Sequence, residues 1–86
     1  MPEISRFYGL RITMNYNEHQ PPHFHVQYAE YEAQVGIATG EVIRGRLPDR
    51  ACAMVREWTG LHRAQLEEDW RLRGLMQPLN RIEGLE

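Results

Sequence analysis

The chain has 86 residues, 42% of them hydrophobic, and a formal net charge of −2 at neutral pH. A chain of this length makes one small domain that buries only about 60–65% of its unfolded surface, so dimerisation or a tightly associated partner is expected to supplement its core. The charge excludes nucleic-acid binding that rests on a bulk basic excess; the single Cys52 excludes an intramolecular disulfide and a cysteine-built zinc cage.

Neither a basic, apolar leader nor a run of roughly 20 apolar residues is visible, which leads to the expectation of a soluble, cytoplasmic protein without a membrane partner. All ten basic side chains are arginine. Arginine forks well onto phosphate or carboxylate, although the codon bias of a GC-rich genome accounts for the choice more simply.

The hydrophobic period changes once, from two to about 3.6, near Pro48, which predicts an α+β fold with strands first and helix second. In the first strand Leu10, Ile12, Met14 and Tyr16 alternate with Arg11, Thr13 and Asn15, and a polar loop follows from Asn17 to Pro22. In the second, Phe24, Val26 and Tyr28 alternate with His23, His25 and Gln27, so both histidines point away from the core. A two-residue turn at Ala29-Glu30 then pairs Tyr28 with Tyr31, Val26 with Ala33 and Phe24 with Val35.

Gly40 provides the positive φ of a short hairpin loop, and Val42 to Leu47 return as a fourth strand. A three-residue loop, Thr39 to Glu41, opposes Ile37 to Ile43 and Gln34 to Arg46. The resulting architecture is a four-stranded antiparallel sheet over about residues 7–47. Pro48 and Asp49 start a helix, and Ala51, Val55, Trp58, His62, Leu66 and Trp70 form its mostly i+4 apolar ladder. One long helix over 48–74 and two helices broken at Thr59-Gly60 both remain open. Gly74 and Pro78 end the helical region, and Leu79, Ile82 and Leu85 give the extended tail an apolar side with which to dock.

This pairing sets His23, Gly36 and Arg44 in one row and His25, Gln34 and Arg46 in the next. Each histidine then lies about 10 Å from an arginine, with room for an anion over Gly36 and with Arg11 and Asn15 at the border. An ordinary solvated sheet face carries the same residue types. A catalytic reading has His23 and His25, with His19 nearby, exchange protons with a ribose hydroxyl and a leaving oxygen of RNA while Arg44 and Arg46 stabilise charge on the phosphate. A metal reading uses His23 and His25, roughly 6.6 Å apart at Cα on one side of a strand, with His19 or Glu32 as a third ligand to an ion such as zinc. Cys52 reads as a small apolar side chain, and Glu67, Glu68 and Asp69 as a solvated acidic helix face.

The opening Met-Pro-Glu-Ile-Ser-Arg-Phe-Tyr-Gly, the block Asn17-Glu-His-Gln-Pro-Pro-His-Phe-His, the run from Tyr31-Glu-Ala to Thr39-Gly-Glu-Val, and Glu57-Trp58 followed by Leu61-His62-Arg63 resemble the bacterial domain-of-unknown-function family 4160 over nearly the whole chain. The resemblance implies a cytoplasmic protein often encoded beside a second small domain of unknown function, number 2442, the pair having been proposed as a toxin-antitoxin module. It makes His19, His23 and His25 candidate active groups of a toxin. A small antitoxin-like protein encoded nearby becomes the expected partner, docking on the acidic helix through Trp58, His62 and Trp70. A non-enzymatic subunit whose histidine-arginine face holds an anion or a partner is the alternative.

Overall fold

Tight turns lay out the first part of the sheet in the computed structural model, which describes residues 2–85. Tyr8 and Gly9, at φ of 48° and 81°, reverse the chain between β1 (Glu3–Phe7) and β2 (Leu10–Thr13), and Ala29, at φ 51°, does so between β3 (His23–Tyr28) and β4 (Tyr31–Gly36). With β5 (Val42–Gly45) they form a five-stranded antiparallel meander in the order β1-β2-β3-β4-β5. Two helices follow, α1 (Asp49–Leu61) and α2 (Arg63–Gly74). Among the described residues no helix is long and apolar enough to cross a membrane.

The α+β class and the antiparallel sheet agree with the sequence reading, and the strand count rises from four to five. The extra strand, β1, escapes a period-two reading because a register irregularity between Glu3 and Ser5 buries the neighbours Ile4 and Ser5 together. β2 stops at Thr13, so Asn15 and Tyr16 belong to the following loop. Between β3 and β4 the pairs Tyr28–Tyr31, Val26–Ala33, Phe24–Val35, His25–Gln34 and His23–Gly36 form as the two-residue turn requires.

The next hairpin differs. Gln34 opposes Arg44 rather than Arg46, and Ala33 opposes Gly45. Ile37 leaves the ladder to bond the Pro22 carbonyl through its N–H (3.1 Å), so the loop lengthens to five residues and Ile43 stays exposed instead of facing Ile37. Gly45, at φ 84°, makes the accompanying irregularity possible: a Cβ there would stand 2.3 Å from the Glu32 carbonyl oxygen. Leu47 is buried beyond the end of this strand.

The core lies between one face of the sheet and the helices. Phe24, Val26 and Val35 from the strands meet Ala51, Val55 and Trp58 from α1 and Leu66 from α2, all essentially inaccessible to solvent. The Trp58 ring packs at 5.3 Å from Phe7 and 5.5 Å from Phe24, and its indole N–H donates to the Glu83 carbonyl (2.7 Å). Of the two open readings, two helices form, with the break at His62 (φ −122°, ψ 24°) rather than at Thr59-Gly60; Gly60 itself is helical and has open space around it. Asp69 corrects another expectation: it is fully buried and accepts the Asn80 N–H (2.9 Å), while Glu67 and Glu68 stay exposed. Burial pushes the Asp69 carboxyl above its usual range, with the Asn80 amide opposing and the Glu68 charge adding to the shift.

The tail docks as its apolar positions foretell. Ile82 is buried and donates its N–H to the Ile4 carbonyl (2.7 Å), and Leu79 and Leu85 pack on the core. Around Glu3, Arg6 (2.7 Å), Arg11 (3.0 Å) and Arg81 (2.9 Å) tie the edge strand to the tail. Hydrogen bonds from Arg6, Arg81 and Arg11, in that order of weight, hold the Glu3 carboxyl down to about 2 from its ordinary 4.5. The folded state therefore binds this proton less readily than the unfolded chain, and the stabilisation is complete above pH 4.5 and disappears as pH falls toward 2. Acid titration followed by circular dichroism should show the wild type losing stability across that window, and Glu3→Gln losing less of it there.

Candidate functional site

β3 is the source of the site because its alternation sends Phe24 and Val26 to the core and His25 to the opposite face. The register places Thr13, His25, Gln34 and Arg44 in one row across four strands, and Arg11, Gln27 and Glu32 in the row beside it. These two rows line a groove of about 460 Å³. Arg11 is already engaged, donating to Glu3 (3.0 Å) and to the Gln27 carbonyl oxygen of its side chain (3.4 Å). Arg44 is exposed and forms no ion pair among the described residues.

Not every expected group joins this groove. The Arg46 guanidinium stacks 5.6 Å over the Tyr31 ring, because the shifted register moves it off the histidine row. Gly36 is buried, and a Cβ there would meet Thr39 and Ile43 at ordinary distances, so the anticipated anion space over it does not exist. His19 is exposed in the loop. Trp58 and Trp70 are core residues, which removes them as surface anchors for a partner; His62 is half-buried, 5.8 Å from the Trp58 ring, with Nδ1 2.7 Å from the Gln65 side-chain oxygen.

His23 lies on the polar side of β3 as expected, yet it is 4% exposed instead of solvated. Its ring packs 5.5 Å from Trp70 of α2 and 5.4 Å from His25. Its Nδ1 donates to the Pro21 carbonyl (2.8 Å), since a carbonyl can only accept. The polar loop from Asn15 to Pro22 folds back so that Glu18 presents one carboxylate oxygen to His25 Nε2 and the other to His23 Nε2, 3.3 Å away. Asn15 holds the same carboxylate through its amide (2.9 Å).

Glu18, His23 and His25 thus converge, with ligand atoms all within 4.8 Å of one another. Burial works to raise the Glu18 carboxyl, but the hydrogen bonds from His25 and Asn15 and the nearby imidazoles outweigh it and hold it below its usual range. Glu18 is the site residue that a reading by periodicity misses. Its signal is its place inside the histidine block, five residues before His23; a loop has no period that would show which way its side chain turns.

An antiparallel meander backed by two helices, carrying a histidine-carboxylate cluster at the edge of an arginine-lined groove, defines a class of small α+β protein with a polar working face. The chain belongs to the family described as Domain of unknown function (DUF4160), whose model matches residues 9–71. No curated protein and no solved structure matches it.

Proposed function

We propose that the protein binds a phosphate-bearing anion, with RNA as the reference ligand, in the groove on the open sheet face, and serves in the cytoplasm as the binding component of a two-gene toxin-antitoxin-type module. The observation that carries this reading is the row Thr13–His25–Gln34–Arg44. It sets an unpaired guanidinium, an imidazole and neutral hydrogen-bonding groups along one wall of a groove large enough for a nucleotide-sized group. His23 is buried and directed at Glu18, so the groove offers one imidazole rather than an acid-base pair. Binding therefore has more support than two-histidine catalysis.

Fluorescence-anisotropy titration with a labelled oligoribonucleotide, competed by inorganic phosphate, tests the reading. Arg44→Ala should weaken binding by about 10-fold or more, the loss of one charge-assisted hydrogen bond. Affinity unchanged in both Arg44→Ala and Arg11→Ala would reject the groove. Cleavage of the oligonucleotide that disappears in His25→Ala would make the same face catalytic.

A further inference from the structure

We infer that Glu18, His23 and His25 form a binding site for one divalent first-row transition metal, zinc being the ion of choice, at the edge of the groove. The site shares His25 with the anion-binding row but stands without that reading. Its starting point is the tautomer of His23. Because Nδ1 must carry the hydrogen given to Pro21, the neutral ring has its free lone pair on Nε2. That nitrogen is buried, makes no hydrogen bond among the described residues, and stands 3.3 Å from a Glu18 carboxylate oxygen, itself an acceptor.

His25 Nε2 meets the other oxygen of the same carboxylate. His23 Nε2 and the Glu18 oxygen facing it are thus both acceptors with no hydrogen-bond donor between them, and His25 Nε2 becomes a third electron-pair donor once it gives up the hydrogen it shares with Glu18; one metal cation would satisfy all three. Asn15 carries a second orphan beside it: its Oδ1 is buried without a partner among the described residues, while its amide nitrogen bonds Glu18.

The donor set fits zinc. Two imidazoles and one carboxylate supply three protein ligands and leave a fourth position for water or another ligand. Donor atoms around a tetrahedral zinc lie roughly 3.3 Å apart, given bond lengths near 2 Å. The His23–Glu18 separation already equals this, the tighter His25–Glu18 contact would open slightly as an ion replaces the shared hydrogen, and all the ligand atoms already lie within 4.8 Å of one another. The surroundings resemble a prepared outer shell: Pro21 fixes the His23 tautomer and Asn15 orients the carboxylate. His25 also lines the groove, so the ion would sit at its margin.

The test uses the full chain freed of metal by a chelator and titrated with Zn²⁺ by calorimetry and with Co²⁺ by absorption. One ion per chain is expected, with the intense visible bands of four-coordinate Co²⁺ and a rise in melting temperature that grows with metal concentration. Asn15→Ala should weaken binding by roughly 10- to 100-fold, as outer-shell substitutions do, and Glu18→Gln, His23→Gln and His25→Gln by more. His19→Ala should bind like the wild type. Circular dichroism identifies which variants fold, and Glu18→Gln, which alters a loop side chain by one atom, keeps the test decisive if the strand variants do not. Absence of stoichiometric binding, equal binding by folded Glu18→Gln, or loss of binding in His19→Ala would overturn the site. None of these outcomes bears on the effect of Arg44→Ala on oligonucleotide binding, so the two readings fail separately.

Discussion

Trp58→Ala is expected to remove about 3–5 kcal/mol of folding stability, the usual cost of deleting a buried tryptophan side chain. The indole is entirely inaccessible, packs on Phe7 and Phe24, and donates to Glu83. One side chain thus joins the sheet, α1 and the tail. Small domains have only about 5–15 kcal/mol in total, so the variant should melt on the order of 20 °C lower or fail to fold. Trp58→Phe keeps most of the apolar area and loses the donor to Glu83, and should cost about 1 kcal/mol from the lost hydrogen bond. Urea denaturation measures both. A surface anchor for a partner would behave in the opposite way, since exposed substitutions change stability by only about 0.5 kcal/mol, so an unaltered midpoint for Trp58→Ala would refute its place in the core.

Gly45→Ala carries the second large effect and links stability to the groove. The residue sits at φ 84°, and an added Cβ would stand 2.3 Å from the Glu32 oxygen and 2.9 Å from Ala33 Cα. Backbone atoms cannot swing aside as a flexible side chain does. The left-handed conformation and the clash together should cost about 2–3 kcal/mol, and the strain should be relieved by β5 moving away from β4. Arg44 is the preceding residue, so oligonucleotide affinity should fall in Gly45→Ala along with the unfolding midpoint. Gly60→Ala provides the contrast: this glycine is helical and exposed with nothing near its Cβ position, and alanine there should stabilise by about 0.5–1 kcal/mol. Equal responses of the two variants would remove the steric argument.

The parts of the fold legible in the sequence are those where local rules suffice. The β3–β4 hairpin follows because a two-residue turn at Ala29-Glu30 leaves only one register in which apolar residues face apolar residues. The helical ladder from Ala51 to Trp70 is read correctly, with every member but His62 in the core. Where such a rule is broken, parity misleads. The irregularity at Ile4–Ser5 hides β1, and the five-residue loop after Gly36 exchanges Arg46 for Arg44 beside Gln34. Gly60 is one candidate helix breaker because glycine disfavours helices. It is nevertheless tolerated on an exposed turn, and the break occurs at His62, between the buried Trp58 and Leu66.

By itself the chain determined that strands precede helices, the inward faces of β2, β3 and β4, the docking of the tail, and the histidine block as the place to look. These depend on periodicity and turn chemistry, which act between neighbours in sequence. Only the tertiary structure decided that Glu18 rather than His19 joins His23 and His25, that His23 is shielded by Trp70, and that Arg44 rather than Arg46 reaches the groove. Each of these depends on how a loop folds back, how a helix meets the end of a sheet, or how a bulge shifts a register, and such packing between distant segments leaves no period in the sequence.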